Sequence, residues 1–287
     1  GKDVYSEKPA AITIEEGRIL ADTVKRYGRV YQSGTQQRSE YDGKFRRAYE
    51  LVRNGYIGKL KEIYAYSPGG GFAANLQSLD APGIPIPEDF DWDAYVGPGP
   101  WRPYTGGNAN CGVFAYGDPN WGPHHYDVVQ WLLEEDCRGP FEVSYENNHA
   151  VLRFSNGVTV HGCAHPAGGV GRAGGARYVG TDGYVAVDRE HIAADPPAIL
   201  NVQLKPGDTR AYLSKSHAGN FLECVRTRKR PVCDAETAHR SMSLVLLAGI
   251  ATQLKRKLIW DPKTERFIGD EQANRQLAYA RRPGWEV

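Results

Sequence analysis

Four groups of residues in this 287-residue chain have the types and spacing that chemistry needs. Glu7-Lys8-Pro9 follows a short strand-like stretch, and in an α/β sheet ligands collect at the carboxyl ends of strands. A lysine there can hydrogen-bond a substrate hydroxyl or a cofactor ribose; the bland alternative is a solvated loop lysine. Asn120-Trp121-Gly122-Pro123-His124-His125-Tyr126-Asp127 reads as a helix start, with Asn120 or Asp118 suited to the cap and Pro123 to the first turn. His124 and Asp127 share a helix face, whereas His125 points about 100° away. A histidine at a helix mouth suits a general base, and the competing reading is a capping and packing cluster. His161, Cys163 and His165 fall on one face of a strand and carry zinc-compatible atoms. Strand neighbours two apart stand about 7 Å from each other, so we read a polar face lining a pocket or interface and assign no metal site. Gly169-Val170-Gly171-Arg172-Ala173-Gly174 has the dinucleotide spacing, but a strand follows it where the fingerprint needs a helix. It is a decoy, or at most a flexible lid.

These groups need elements to hold them. Val4-Tyr5 ends a strand, Thr13 with Glu16 makes a capping signature, and Ile14 to Tyr27 carries a helical apolar stripe closed by Gly28. Arg29 to Ser33 is again a strand, so the opening reads as the tail of an alternating α/β unit. Two short strands make no stable sheet alone, and something normally precedes them. A helix over 44–54 and a strand over 60–66 follow. Residues 67–110 are rich in Gly and Pro but contain Phe90, Trp92, Tyr95, Trp101 and Tyr104, which predicts an ordered, site-forming loop. His124 to Leu133 is a buried helix. Strands are expected over 141–146, 150–154, 158–165, 176–180 and 184–187, with Asn156-Gly157 as a hairpin turn. Helices over 218–228 and 236–258 close the chain, the second long and amphipathic. The fold class is α/β (α+β): a large, mostly antiparallel sheet packed by helices, preceded by the last strand-helix-strand of a Rossmann unit.

Charge excludes one class of partner. Lys and Arg number 35 against 34 Asp and Glu, a net +1 that argues against nucleic-acid binding driven by bulk charge. Apolar residues at 41% and charged at 24% are those of an ordinary globular chain. No apolar run is long enough to span a bilayer, and Gly1-Lys2-Asp3-Val4 does not resemble a signal peptide. The compartment stays open, with the cytoplasm preferred and the periplasm the alternative if a leader preceded residue 1. Five cysteines without framework spacing exclude a disulfide scaffold. A sheet with helices on one face leaves the other to be covered, so an apolar outer face and a homo-oligomer through it are expected.

The ordered segments Gly1 to Pro9, Gly34-Thr35-Gln36-Gln37-Arg38, Asp91-Trp92-Asp93, Gly97 to Tyr104, Trp121 to Asp127, Asn220 to Arg226 and Trp260-Asp261-Pro262 resemble the Gfo/Idh/MocA oxidoreductases, the glucose–fructose oxidoreductase and inositol dehydrogenase family. The resemblance implies residues 1–38 as the end of a Rossmann dinucleotide-binding domain and 39–287 as the substrate and oligomerisation domain. It implies NAD or NADP as cofactor, contacted by Glu7, Lys8, Pro9 and Gln36, and catalysis by Lys8 and His124. Asn120 stands where the family usually has Asp four residues before the histidine, and with Asp127 it is expected to orient the ring. Arg38, Trp101, Arg102, Tyr104, Tyr116 and His125 are expected to line the pocket of a small sugar, cyclitol or polyol. The family's glycine-rich βαβ start does not precede Glu7, so the chain reads as a fragment, inactive alone. Two alternatives stay open: a glycoside-cleaving or epimerising enzyme that uses NAD transiently, and a non-catalytic binding or assembly module.

Overall fold

Thr13 caps the first helix as its sequence requires. Its hydroxyl accepts from the Glu16 amide at 3.2 Å, and the Glu16 carboxylate reaches back to the Ile12 amide at 3.3 Å. The capping box thus closes one residue earlier than its usual form. In this computed structural model, which describes residues 1–66, 82–106, 116–133, 139–163 and 174–285, strand β1 (Val4–Ser6) leads through helix α1 (Ile14–Arg26) to β2 (Tyr31–Ser33), and β1 pairs with β2 in parallel. Two 3-10 turns, Gln36–Arg38 and Tyr41–Gly43, then lead into α2 (Lys44–Arg53) and β3 (Leu60–Tyr66). Of the stretch expected to form an ordered loop, 82–106 is described and contains α3 (Trp92–Val96); 67–81 and 107–110 lie outside the described residues.

Helix α4 (Gly122–Leu133) precedes six strands: β4 (Glu142–Glu146), β5 (His149–Arg153), β6 (Thr159–Cys163), β7 (Gly175–Gly180), β8 (Tyr184–Asp188) and β9 (Ile192–Asp195). After α5 (His217–Thr227) and α6 (Ala235–Leu254) come β10 (Leu258–Asp261), β11 (Arg266–Phe267) and α7 (Glu271–Asn274). The sheet order is β11-β10-β4-β5-β6-β3-β7-β8-β9, antiparallel at each step except β3 beside β6. The Asn156-Gly157 signal forms its hairpin, with Gly157 at φ +86 and the Phe154 amide bonded to the Val158 carbonyl at 2.9 Å.

One face of this sheet, carrying Ile63, Ala65, Leu152, Val160, Tyr178 and Val185, is buried in the core with α2, α4 and α6. The other face is not the apolar surface that the strand pattern suggested. It carries Glu62, Tyr64, Glu146, Arg153 and His161, with Arg153 paired to Glu146 and Tyr64 stacked on His161 at 4.7 Å. Helix α6 departs from expectation too. It is buried along almost its whole length rather than amphipathic, because α1, α4 and strands β4 and β5 surround it. It also stops earlier, at Lys255 in the left-handed conformation, and Leu258 begins a strand instead. Gly249 is required there: a Cβ would collide with the backbone of Tyr116 and Gly117, which lead to α4.

Candidate functional site

The carboxyl ends of β1 and β2 meet the start of α4. Asp118 caps the turn before α4, accepting from the amides of Asn120 at 3.1 Å and Trp121 at 3.0 Å. Because Asp118 does this work, the Asn120 side chain is released for another partner. That partner is Lys8, whose Nζ donates to the Asn120 carbonyl at 2.5 Å and to Oδ1 at 2.6 Å. Residues 112 positions apart are thereby tied together, and Lys8 lies near enough to His124 to influence its charge. Glu7, just before, is exposed and its carboxylate crosses Gly34, where a Cβ would stand 2.5 Å from Oε2. Pro9 follows a cis bond, and Gln36 is half-buried at the first position of the 3-10 turn after β2.

His124 stands in the first turn of α4 with 4% of its surface exposed. Its Nδ1 contacts Gln37 Oε1 at 3.0 Å. A carboxamide oxygen can only accept, so Nδ1 carries the proton and Nε2 keeps its lone pair. Gln37, fully buried, is therefore the residue that orients the ring, in place of Asn120 and Asp127. Burial, reinforced by the Arg189, Lys8 and His217 charges, holds the His124 pKa down at about 3. The imidazole is neutral at any ordinary pH.

Asp127 faces elsewhere. It forms a buried ion pair with Arg38, Nε to Oδ2 at 2.8 Å and Nη2 to Oδ1 at 2.9 Å, and accepts from Ser241 at 2.8 Å. The Arg38 guanidinium also lies 5.2 Å from the Trp131 ring. This corrects two expectations: Asp127 does not support His124, and Arg38 holds Asp127 instead of lining an open pocket. A buried carboxylate needs a compensating cation, and this demand outranks any role the spacing suggested. His125 is corrected likewise. It is fully buried and stacked on Trp121 (5.9 Å, 15°), and burial with the His124 and Arg189 charges holds it at about 3.

Of the expected pocket residues, Tyr104 belongs to an aromatic cluster within the loop. Tyr104 meets Phe90 edge-on at 5.8 Å and Trp92 at 5.2 Å, and the Arg102 carbonyl accepts from Trp92 Nε1 at 2.8 Å. Trp101 is 53% exposed with Arg282 over its ring at 5.3 Å. Tyr116 packs against the main core, where burial raises its pKa.

Two residues of this end had no strong sequence signal. His217 opens α5, its Nε2 on the Ser33 carbonyl at 2.7 Å, its Nδ1 on Ser39 at 3.1 Å and its amide on Glu40 at 2.6 Å. It latches α5 to the end of β2, and burial lowers its pKa. Ser216, a good cap, was the available hint. Arg189, in the tight turn between β8 and β9, lies 4.9 Å from the Trp121 ring and 5.1 Å from that of Tyr41. A lone arginine in a turn carries no motif.

Among the described residues no group of three or more His, Cys, Asp or Glu is arranged for a metal ion. His161 instead contacts His149 at 3.1 Å. The Cys163 side chain, His165 and most of the 169–174 glycine segment lie outside the described residues.

This arrangement, a short parallel βαβ unit feeding a helix-backed sheet, meets a family comparison directly. The profile described as "Oxidoreductase family, C-terminal alpha/beta domain" matches residues 76–287. The chain belongs to the Gfo/Idh/MocA oxidoreductase family. Solved structures share this fold. An NAD-binding protein from Listeria innocua superposes with TM-score 0.57 at 18% identity, covering 90% of this chain and 72% of the other. An aldose-aldose oxidoreductase from Caulobacter crescentus gives 0.54 at 16% identity, over 90% and 72%. A myo-inositol 2-dehydrogenase from Lactobacillus plantarum gives 0.52 at 18%, over 90% and 73%. No curated protein matches in sequence. Family membership implies a nicotinamide dinucleotide. Lys8, a hydrogen-bond donor at the end of β1, fits a ribose hydroxyl. The connection after β1 holds no glycine, and the glycine that directly follows β2, Gly34, is closed off by the Glu7 carboxylate, so these two strand ends offer no phosphate cradle among the described residues.

Proposed function

We propose that this chain carries the reacting end of an NAD(P)-dependent oxidoreductase that acts on a sugar, cyclitol or related polyol. The observation that carries this reading is Lys8 docked on Asn120, in the turn that begins the helix bearing His124. Oxidation of a secondary alcohol needs a proton acceptor at the hydroxyl and a cation beside the oxygen as negative charge builds there. His124 Nε2 is the acceptor and the Lys8 ammonium the cation. Gln37 fixes the tautomer, and Asn120 positions Lys8 without neutralising it. A bound nicotinamide dinucleotide supplies the hydride acceptor. The aldose and inositol activities named for the structural neighbours support the substrate class. On this reading residues 1–38 complete a dinucleotide-binding domain and 39–287 form the substrate domain, with the polar outer sheet face as the site of self-association.

The test is His124→Ala, assayed with NAD+ and NADP+ over a panel of polyols by nicotinamide reduction. Turnover should fall by about 10² to 10⁴, the span of a lost general base, with KM little changed. Near-normal turnover in a folded variant removes His124 from the mechanism and leaves Lys8 as the base.

A further inference from the structure

Three arginines, Arg102, Arg177 and Arg189, have a buried Nε without a hydrogen bond among the described residues, and Arg189 is the one whose charge acts on His124. Arg18, Arg38, Arg153 and Arg240 each hold a carboxylate at 3.2 Å or closer. Arg189 has no carboxylate within ion-pair distance among the described residues, and its buried Nε makes no hydrogen bond. Its guanidinium is flanked by Trp121 and Tyr41 instead. Flanking rings hold an arginine fork in place while leaving its edge for a partner. A buried guanidinium donor without an acceptor is costly, which points to an acceptor supplied from outside.

Position gives that acceptor a role. Trp121 lies 4.9 Å from the guanidinium and 6.1 Å from the His124 ring. Two of the nearby anions have partners of their own: Asp127 pairs with Arg38, and Glu40 accepts from the His217 amide. Lys8 has an amide partner in Asn120, not a carboxylate. Among the described residues neither Lys8 nor Arg189 has a carboxylate within ion-pair distance. We propose that Arg189 is the carboxylate-binding residue of this site and that the substrate is a polyol acid, a hydroxylated carbon chain ending in a carboxylate. The proposal rests on the reading of Lys8 and His124 as the reacting end. The carboxylate takes the Arg189 fork in a bidentate pair, and a hydroxyl further along the chain meets His124 and Lys8. Pairing Arg189 also offsets its charge, so His124 becomes a better base when this substrate is in place. A neutral polyol cannot do this.

D-gluconate and D-glucitol share a carbon skeleton and differ in carboxylate against CH2OH at one end, which makes them a matched pair. Calorimetric titration of the 287-residue chain should show gluconate binding at least about 10-fold more tightly, as expected for one charge-assisted bidentate pair. Arg189→Met should abolish that preference, and Arg189→Lys, which keeps the charge but not the fork, should retain part of it. Gluconate should also raise the His124 pKa followed by NMR, and glucitol should not. Equal binding of the two, no gluconate binding at tens of millimolar, or a preference unchanged in Arg189→Met overturns the proposal. Should Arg189→Met fail to fold, a full preference in folded Arg189→Lys overturns the bidentate pair. The two readings fail separately. Gluconate held through Arg189 but never oxidised removes the oxidoreductase reading. Glucitol oxidised equally by wild type and Arg189→Met removes this one.

Discussion

Lowering the pH from 7 to 5 should destabilise this protein through its buried histidines, well before its carboxylates respond. His124 and His125 are both held at about 3 in the folded chain, each chiefly by burial, against an ordinary value of 6.5. Between those values the unfolded chain binds protons that the folded chain refuses, so stability falls as pH falls through 6.5. Between pH 7 and pH 5 each ring costs about 2 kcal/mol, and the pair about 4 kcal/mol, a large part of a typical stability of roughly 5–15 kcal/mol. His217, also lowered by burial, adds in the same direction. The paired carboxylates act in another window. Burial alone would raise Glu236 and Glu265, but hydrogen bonds from Arg18 to Glu236 and from His239 and Arg18 to Glu265 outweigh it and hold both at about 2. Their contribution is lost below about pH 4.5. Urea unfolding followed by tryptophan fluorescence at pH 7, 6 and 5 should show the midpoint dropping steeply. His125→Phe, which keeps the stack on Trp121, should remove about half of the dependence. A flat profile for wild type, or an unchanged slope in folded His125→Phe, refutes the argument that these rings are buried neutral.

Two other substitutions probe the frame of the site. Arg38→Met leaves Asp127 buried without its cation and should cost about 3–5 kcal/mol in urea unfolding; Arg38→Met with Asp127→Leu should recover much of that, and purely additive losses would show that the pair is not coupled. Gln37→Leu removes the acceptor at His124 Nδ1 and should lower kcat about 10-fold with little change in KM, while Gln37→Glu retains the acceptor and should shift the pH profile instead. An unaltered kcat and pH profile in Gln37→Leu would mean that the ring is oriented by something else.

Much of this architecture was legible because its signals are local. Thr13 with Glu16, Gly28 after the first helix, Asn156-Gly157 between strands and the alternation of 60–66 each act within a few residues, and each formed the element it predicts. Lys8 and His124 were legible as candidates through the order of short motifs along the chain. The strands β9, β10 and β11 were not, because they form at the ends of a sheet and draw their stability from neighbours distant in sequence. Neither was the burial of α6 on all sides: the residues that cover it come from α1, α4 and the sheet.

The site shows the same division. The amino-acid sequence by itself determined that a lysine ends the first strand, that a histidine starts the fourth helix, and that Asn replaces the usual acid four residues before it. Tertiary structure alone decided the partners. Asp127, on the same helical face as His124 by spacing, turned to Arg38 because a buried carboxylate must be compensated. Gln37 met His124 from a turn 87 residues earlier, and the Arg189 charge acts on it from a hairpin that follows. Spacing along a helix specifies which side chains can meet. Which of them do meet follows from where the charges are buried, and that is a property of the packed chain.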